Sequence, residues 1–249
     1  MMKIFGGCEV RKNLKFKYGK NLLANNKNYF YEYHISNNNY QIDTPTNTTC
    51  TIYIIKSKPD SKISIANKNY LLKRGMSFDH IKNKKVILDK KNVEFLLVGS
   101  FKSDKKCKLK ITNYLKHYKV KKPWGYELWI NGDKSKYVLK EIMIKKKFQT
   151  SLQYHRKKTE TNMIFNGKAK LIYRSKKNKI LENTSTKDLS NTNLNSVSLV
   201  DVKPYNLHRI KALTDIKLYE TSTNHLDDVV RIMDDSNRKS GRIHAEHKK

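Results

Sequence analysis

Gln153-Tyr-His155-Arg-Lys-Lys-Thr-Glu160 is the stretch whose residue types and spacing most readily do chemistry. Gln153 and His155 are two apart, and on an extended strand residues two apart face the same side. Glu160 follows a short charged segment, where the chain can return toward the same point. His208, approached by Pro204, offers a second imidazole from a later strand. Two imidazole nitrogens, a carboxylate and an amide oxygen make a donor set for one borderline-to-hard divalent ion, zinc first, with manganese, iron, cobalt and nickel also suited. Taken alone, the spacing equally fits a surface hairpin with scattered polar residues and a His208 that is an ordinary core residue.

These residues need strands to carry them, and the chain is rich in strand signals. Up to about residue 112, the stretches Tyr29–Tyr33, Thr49–Lys56, Ser61–Ala66, Tyr70–Leu72, Lys85–Leu88 and Val93–Val98 are apolar or alternating. Turns of Asn, Asp, Gly or Lys separate them, and no stretch keeps a helical period. A second block opens at Pro123-Trp124-Gly125. It reads as strands at Tyr126–Ile130 and Tyr137–Ile144 around a turn at Asn131-Gly132-Asp133, then Ser151–His155 and Thr161–Phe165. Asn166-Gly167 is the strongest turn signal in the chain, with Lys168–Tyr173 as the return strand. Glu182–Asn195 reads as a polar excursion. Ser196–Val202, His208–Lys211 and Ile216–Glu220 complete a barrel-like count, and Asp227–Met233 reads as a short helix with Asp227-Asp228 at its positive end.

Composition bounds the answer. The 249 residues suffice for two small domains, and the apolar fraction of 37% is low but rich in Tyr, Ile and Phe. No window approaches twenty apolar residues, nothing resembles a secretory leader, and the three widely spaced cysteines Cys8, Cys50 and Cys107 read as reduced residues of a cytoplasmic protein. The net charge of +31 is spread along the chain among asparagine-rich runs, which speaks for a lysine-favouring coding bias rather than a dedicated nucleic-acid face or membrane surface. No glycine-rich phosphate loop opens the chain and its first half reads as strands, so no nucleotidyltransferase domain is expected within these residues.

The run Lys122-Pro-Trp-Gly-Tyr-Glu127, Lys140, Ser151-Leu-Gln153-Tyr-His155-Arg-Lys-Lys-Thr-Glu160, Asn166-Gly167, His208-Arg-Ile210, Glu220-Thr-Ser-Thr223, Leu226-Asp-Asp-Val-Val-Arg231 and Asp234-Asp-Ser-Asn-Arg238 closely resembles one known pattern. It is similar to the cupin domain of type II mannose-6-phosphate isomerases, also found attached to mannose-1-phosphate guanylyltransferases. The likeness covers about residues 121–238. It implies a metal held by Gln153, His155, Glu160 and His208. Gly75-Met-Ser-Phe-Asp-His80 faintly resembles the second cupin motif, so the expected fold is all-β, a bicupin of two jelly-roll barrels whose N-terminal member is degenerate. The expected division is 1–115 for a barrel without metal, 116–240 for the metal-binding barrel and 241–249 for a disordered basic tail.

The resemblance implies a metal-dependent sugar-phosphate isomerase interconverting mannose 6-phosphate and fructose 6-phosphate. Such a reaction needs a base to move a proton between adjacent carbons, for which Glu220, Lys140 and Glu127 are the candidates. Arg209, Arg231 and Arg238 are candidates for the phosphate, because a guanidinium matches its geometry, and Lys140 suits the same role. Lys158 reads as solvated. The expected partner is a small phosphorylated sugar, with no specific nucleic acid and no membrane, and a homodimer is a prior from barrel pairing. Alternatives are an isomerase or epimerase of another phosphorylated or nucleotide-linked sugar, and a non-catalytic sugar- or metal-binding cupin. Lys147-Phe148 stands where the family has glycine, Asn195-Ser-Val-Ser replaces a Gly-Asp turn, and Asp234-Asp-Ser-Asn-Arg238 replaces Asp-Asp-Tyr-Gly-Arg. A reshaped rim changes substrate choice before it changes the metal.

Overall fold

The computed structural model describes all residues except 1, 6, 83, 102–107, 132–135, 175–185 and 248–249. It is all-β, in two compact units. No helix among the described residues is long and apolar enough to cross a membrane.

One unit comprises Phe16–Tyr118 and Ile130–Tyr137. A six-stranded sheet runs in the order Lys110–Thr112, Ser77–Ile81, Thr49–Lys56, Glu94–Ser100, Phe30–Ile35, Gly19–Asn25. A four-stranded sheet runs Tyr40–Asp43, Lys85–Leu88, Lys62–Ile65, Lys68–Leu71. Alternation along Thr49–Lys56 sends Cys50, Ile52 and Ile54 into one cluster with Phe78, Phe95 and Leu97 of the same sheet. Ile42, Ile63, Ile65, Val86 and Leu88 of the other sheet complete it, so the interior is filled with apolar side chains. Within this unit a buried Glu32 accepts from His34 at 2.8 Å, whose other ring nitrogen is 2.9 Å from the Tyr40 hydroxyl.

The other unit comprises Met1–Lys15, Lys119–Trp129 and Val138–Lys249. Its eight-stranded sheet has the order Met2–Phe5, Cys8–Arg11, Ser198–Val202, Glu160–Asn166, Ile216–Thr223, Tyr137–Ile144, Gly125–Trp129, Tyr118–Lys122. Its five-stranded sheet has the order Leu189–Leu194, Ala169–Arg174, His208–Ala212, Leu152–Tyr154, Val230–Met233. The expected cut at 115/116 lies close to the observed passage between units, but the first fifteen residues belong to the later unit. Cys8–Arg11 pairs antiparallel with Ser198–Val202, and Cys8 and Val10 join the core beside Val200 and Val202. The pairing covers what would otherwise be an open sheet edge.

Other expectations are corrected. Asp227–Met233 is no helix: Val230–Met233 is a strand against Leu152–Tyr154. The described part of the polar excursion, Leu189–Leu194, is a strand on Ala169–Arg174 with Leu194 buried, while 182–185 lie outside the described residues, as do 132 and 133 of the Asn131-Gly132-Asp133 turn. The turn at Asn166-Gly167 exists, but it does not close a hairpin. It carries the chain from the eight-stranded sheet to the five-stranded one, where Ala169–Arg174 pairs with His208–Ala212. Gly167 has φ +93°, and a Cβ there would sit 2.4 Å from the Asp215 carbonyl, which leaves glycine as the residue that fits. Within the segment expected as a basic tail, His244–His247 form a 3₁₀ turn.

Burial pushes the Asp79 carboxyl up to about 6 from 3.8, with hydroxyl donors and Lys110 only partly countering the desolvation. Its folded pKa exceeds its unfolded one, so its contribution to stability is complete below pH 3.8 and is lost as pH rises through about 6. Asp79→Asn should therefore gain stability relative to the native chain by roughly 2 kcal/mol between pH 4.5 and pH 7.5, as read by urea denaturation. A difference that does not change with pH would show that Asp79 titrates normally.

Candidate metal centre

Glu160 begins a strand in the middle of the eight-stranded sheet, between Ser198–Val202 and Ile216–Thr223, and is buried with both oxygens engaged. Asn162 Nδ2 donates to Oε1 at 3.0 Å, and Lys158 Nζ donates to Oε2. His208 Nε2 is 3.1 Å from Oε1, and His155 Nε2 is 3.4 Å from Oε2. The ligand atoms of His155, Glu160 and His208 all lie within 4.8 Å of one another.

The backbone sets the tautomer of both imidazoles. His155 Nδ1 donates to the Asp228 carbonyl, and His208 Nδ1 donates to the Asn206 carbonyl at 3.0 Å. A ring whose Nδ1 carries the hydrogen presents a bare lone pair at Nε2. Two such lone pairs therefore converge on a carboxylate, and buried His155 Nε2 has no hydrogen-bond partner among the described residues. Three acceptors in mutual reach repel unless a cation lies between them. The donor chemistry and the orphaned nitrogen both fit a divalent ion. Gln153 pairs directly with His208 across the five-stranded sheet and lines the same cavity, which suits it as an additional oxygen donor.

Lys158 is a correction to the sequence reading. It is buried, bonded to Glu160 and, at 2.8 Å, to Glu220 Oε1. Burial works against its charge, but Glu160 and Glu220 on either side outweigh it and hold the ammonium above the usual lysine range. Glu160 in turn is pushed up by burial but held well below the usual carboxylate range by the Lys158 ammonium. The spacing Lys158-x-Glu160-x-Asn162, a period of two running into a strand, was the overlooked signal. Asp228, expected to cap a helix, instead accepts the backbone amides of Arg156, Lys157 and Lys158 at 3.0, 2.5 and 2.9 Å. That grip turns the 156–158 loop so that Lys158 points inward.

Around this centre is a cavity of about 870 Å³ including its open mouth. Its wall carries Glu127, Lys140, Glu220, Arg231 and Arg238 from the sequence-based candidates, with Lys122, Trp124 and Trp129 besides. Glu127 is bonded by Lys140 Nζ at 3.0 Å and Trp129 Nε1 at 3.0 Å, with Lys122 Nζ at 3.6 Å. Burial would raise it, but Lys140 and Lys122 keep it far below the ordinary carboxylate range. Arg209 is elsewhere. Alternation along His208–Ala212 puts His208 and Ile210 on the cavity wall and Arg209 on the other face, where it donates to the Met233 carbonyl at 3.0 Å and Asp235 at 3.1 Å.

Two of the substituted rim positions adopt a glycine-like backbone. Lys147 has φ +73° and Asn237 φ +54°, both in the left-handed region that glycine enters freely.

Residues 110–234 match the family described as mannose-6-phosphate isomerase C-terminal. The chain belongs to that family. No curated protein sequence matches it. Among solved structures, an IolB-like protein from Salmonella typhimurium has a TM-score of 0.65 at 10% identity, over 86% of this chain and 90% of that one. Oxalate decarboxylase from Lactobacillus farciminis, as a formate complex, has a TM-score of 0.60 at 10% identity, over 93% and 86%. A salicylate 1,2-dioxygenase mutant from Pseudoaminobacter salicylatoxidans has a TM-score of 0.53 at 7% identity, over 79% and 72%. At such identities the likeness establishes the cupin fold. The family match spans Gln153, His155, Glu160, His208 and the loop that positions Lys158.

The purified chain, made without a histidine tag, is expected to hold about one divalent ion by elemental mass spectrometry. His155→Ala and His208→Ala are expected to hold well under half as much. Equal contents in all three would reject the centre.

Proposed function

We propose that this member of the mannose-6-phosphate isomerase C-terminal family is a metal-dependent sugar-phosphate isomerase that interconverts mannose 6-phosphate and fructose 6-phosphate. The observation that carries the reading is the convergence, in one cavity, of the two Nε2 lone pairs on Glu160 with the Lys158–Glu220 pair beside them. His155, Glu160, His208 and Gln153 would hold the ion, with zinc the first choice for this donor set. When bound, it would supply Lewis-acid polarisation of a carbonyl and its neighbouring hydroxyl.

The remaining work falls to the chain's own groups. Glu220 is the preferred base. Its Oε1 accepts from Lys158, which leaves Oε2 to take a proton from one carbon and return it to the next. Glu127 is less suited, because three donors hold it as a carboxylate. Lys140 is committed to Glu127 and lies 4.6 Å from the Trp129 ring, which fits it to orient an oxyanion rather than to move a proton. The wall contributes Arg231 and Arg238 for the phosphate, and the net charge of +31 favours capture of an anionic sugar.

With the ion in place, mannose 6-phosphate is expected to be converted in a coupled spectrophotometric assay. Glu220→Gln is expected to lower kcat by about 10²–10⁴ while leaving the metal content intact. A metal-loaded chain that turns over neither mannose 6-phosphate nor other aldose phosphates would make this a binding protein. Unchanged kcat in Glu220→Gln would move the base elsewhere.

A further inference from the structure

The segment that follows the family match closes over the cavity. Gly241, Arg242, Ile243 and His247 line it, and Glu246 reaches two of its cations. Glu246 Oε2 is 2.8 Å from Lys122 Nζ, and Oε1 is 3.4 Å from Arg238 Nη1. The three side chains are only 14%, 7% and 10% exposed, so this carboxylate sits inside the mouth rather than on the surface.

The anchoring of the segment changes along its length. Arg231 Nη1 donates to the carbonyls of Lys239 and, at 2.7 Å, Gly241, and Gly241 N donates to the Val229 carbonyl at 2.8 Å. Beyond Gly241 the turn closes on itself, with Glu246 N bonded to the Ile243 carbonyl at 3.0 Å. From there Arg242 and His247 reach the Trp129 ring with their side chains, at 5.5 and 5.4 Å, and Arg242 Nε lies 2.9 Å from the largely exposed carboxylate of Asp227. Side-chain contacts of this kind at a solvent-facing mouth are individually weak and separable.

We propose that Lys122 and Arg238 form the oxyanion subsite of the cavity, that the Glu246 carboxylate stands in that subsite for a phosphate monoester, and that residues 242–247 are a strap which such a ligand displaces. The proposal deepens the sugar-phosphate reading and rests on it for the identity of the anion. A phosphate offers three acceptor oxygens and up to two charges where Glu246 offers two oxygens and one charge, so it outcompetes the carboxylate for the same donors. The wall survives the exchange. Glu127 keeps Lys140 and Trp129 Nε1 when Lys122 is released, and Arg238 keeps Asp234, 2.7 Å from its Nη2. The indole Nε1 of Trp124, buried in the same wall, has no hydrogen-bond partner among the described residues.

Inorganic phosphate is the probe, titrated calorimetrically at fixed, moderately high ionic strength so that the general positive field is screened. Glu246→Gln is expected to bind it about tenfold more tightly than the native chain, and adding Lys122→Met is expected to abolish that gain. A chain cut after Gly241 should show the same gain and serves if the glutamine variant folds poorly. Unchanged or weaker binding in both the Glu246→Gln and the shortened chain overturns the proposal, as does a gain that survives Lys122→Met. Phosphate capture needs no turnover. An active isomerase without the gain therefore rejects the strap alone, and a gain without isomerase activity rejects the isomerase alone.

Discussion

The buried carboxylate of Glu160 is the constraint around which the unit of Met1–Lys15, Lys119–Trp129 and Val138–Lys249 is arranged. An ionised acid so far from water is costly unless it is paired and fully bonded. Here Lys158, Asn162, His155 and His208 surround it. Three of those are themselves held in place: the histidines by backbone carbonyls, and the loop of Lys158 by the Asp228 carboxylate that gathers three amides. Asp228 thus supports two partners of Glu160 at once, through its carbonyl and through its side chain. The polar centre is a linked set in which the position of one group depends on the others.

The two sheets of this unit divide the chemical labour. Gln153, His155 and His208 come from the five-stranded sheet and the loop leading from it. Glu127, Lys140, Glu160 and Glu220 come from the eight-stranded sheet. Nitrogen donors therefore face a row of carboxylates and ammonium groups across the cavity. On the proposed reading, that opposition would bring a bound ion and a proton acceptor within reach of one small substrate, the geometry that proximity effects require. Beyond the matched family region, the chain returns to the mouth and places a carboxylate among the cations that an anionic ligand would need.

The same two-sheet architecture is used differently in the other unit. There the inward positions of the long strands are mostly Ile, Phe, Leu and Val, with the bonded Glu32–His34–Tyr40 set among them. In the unit that carries the His155–Glu160–His208 cluster, the inward positions near the mouth are polar, while an apolar cluster of Trp124, Ile142, Ile210 and Leu218 supports them from within. A cupin barrel is thus compatible with either a core or a site, and the side chains at alternate positions decide which.

Much of this was legible in the residues themselves. Period-two patterning located the strands of the first half because each buries one face, and that pattern depends only on local order. Gln153 and His155 were legible as a pair for the same reason, and Glu160 and His208 through resemblance to a family. Lys158 was misread because a lysine amid other charges looks solvated, and only the packing of Glu220 beside it makes burial favourable. Arg209 was misplaced because a guanidinium next to a ligand histidine looks functional until strand alternation sends it to the opposite face. The pairing of Cys8–Arg11 with Ser198–Val202 joins segments about 190 residues apart, and the crossing at Asn166-Gly167 passes between sheets. No local rule contains such information. The chain's own sequence determined which residues can be strands and which can bind a metal. The tertiary structure decided which edges meet, which charges are buried together and what lies over the mouth, because those depend on partners distant in the chain.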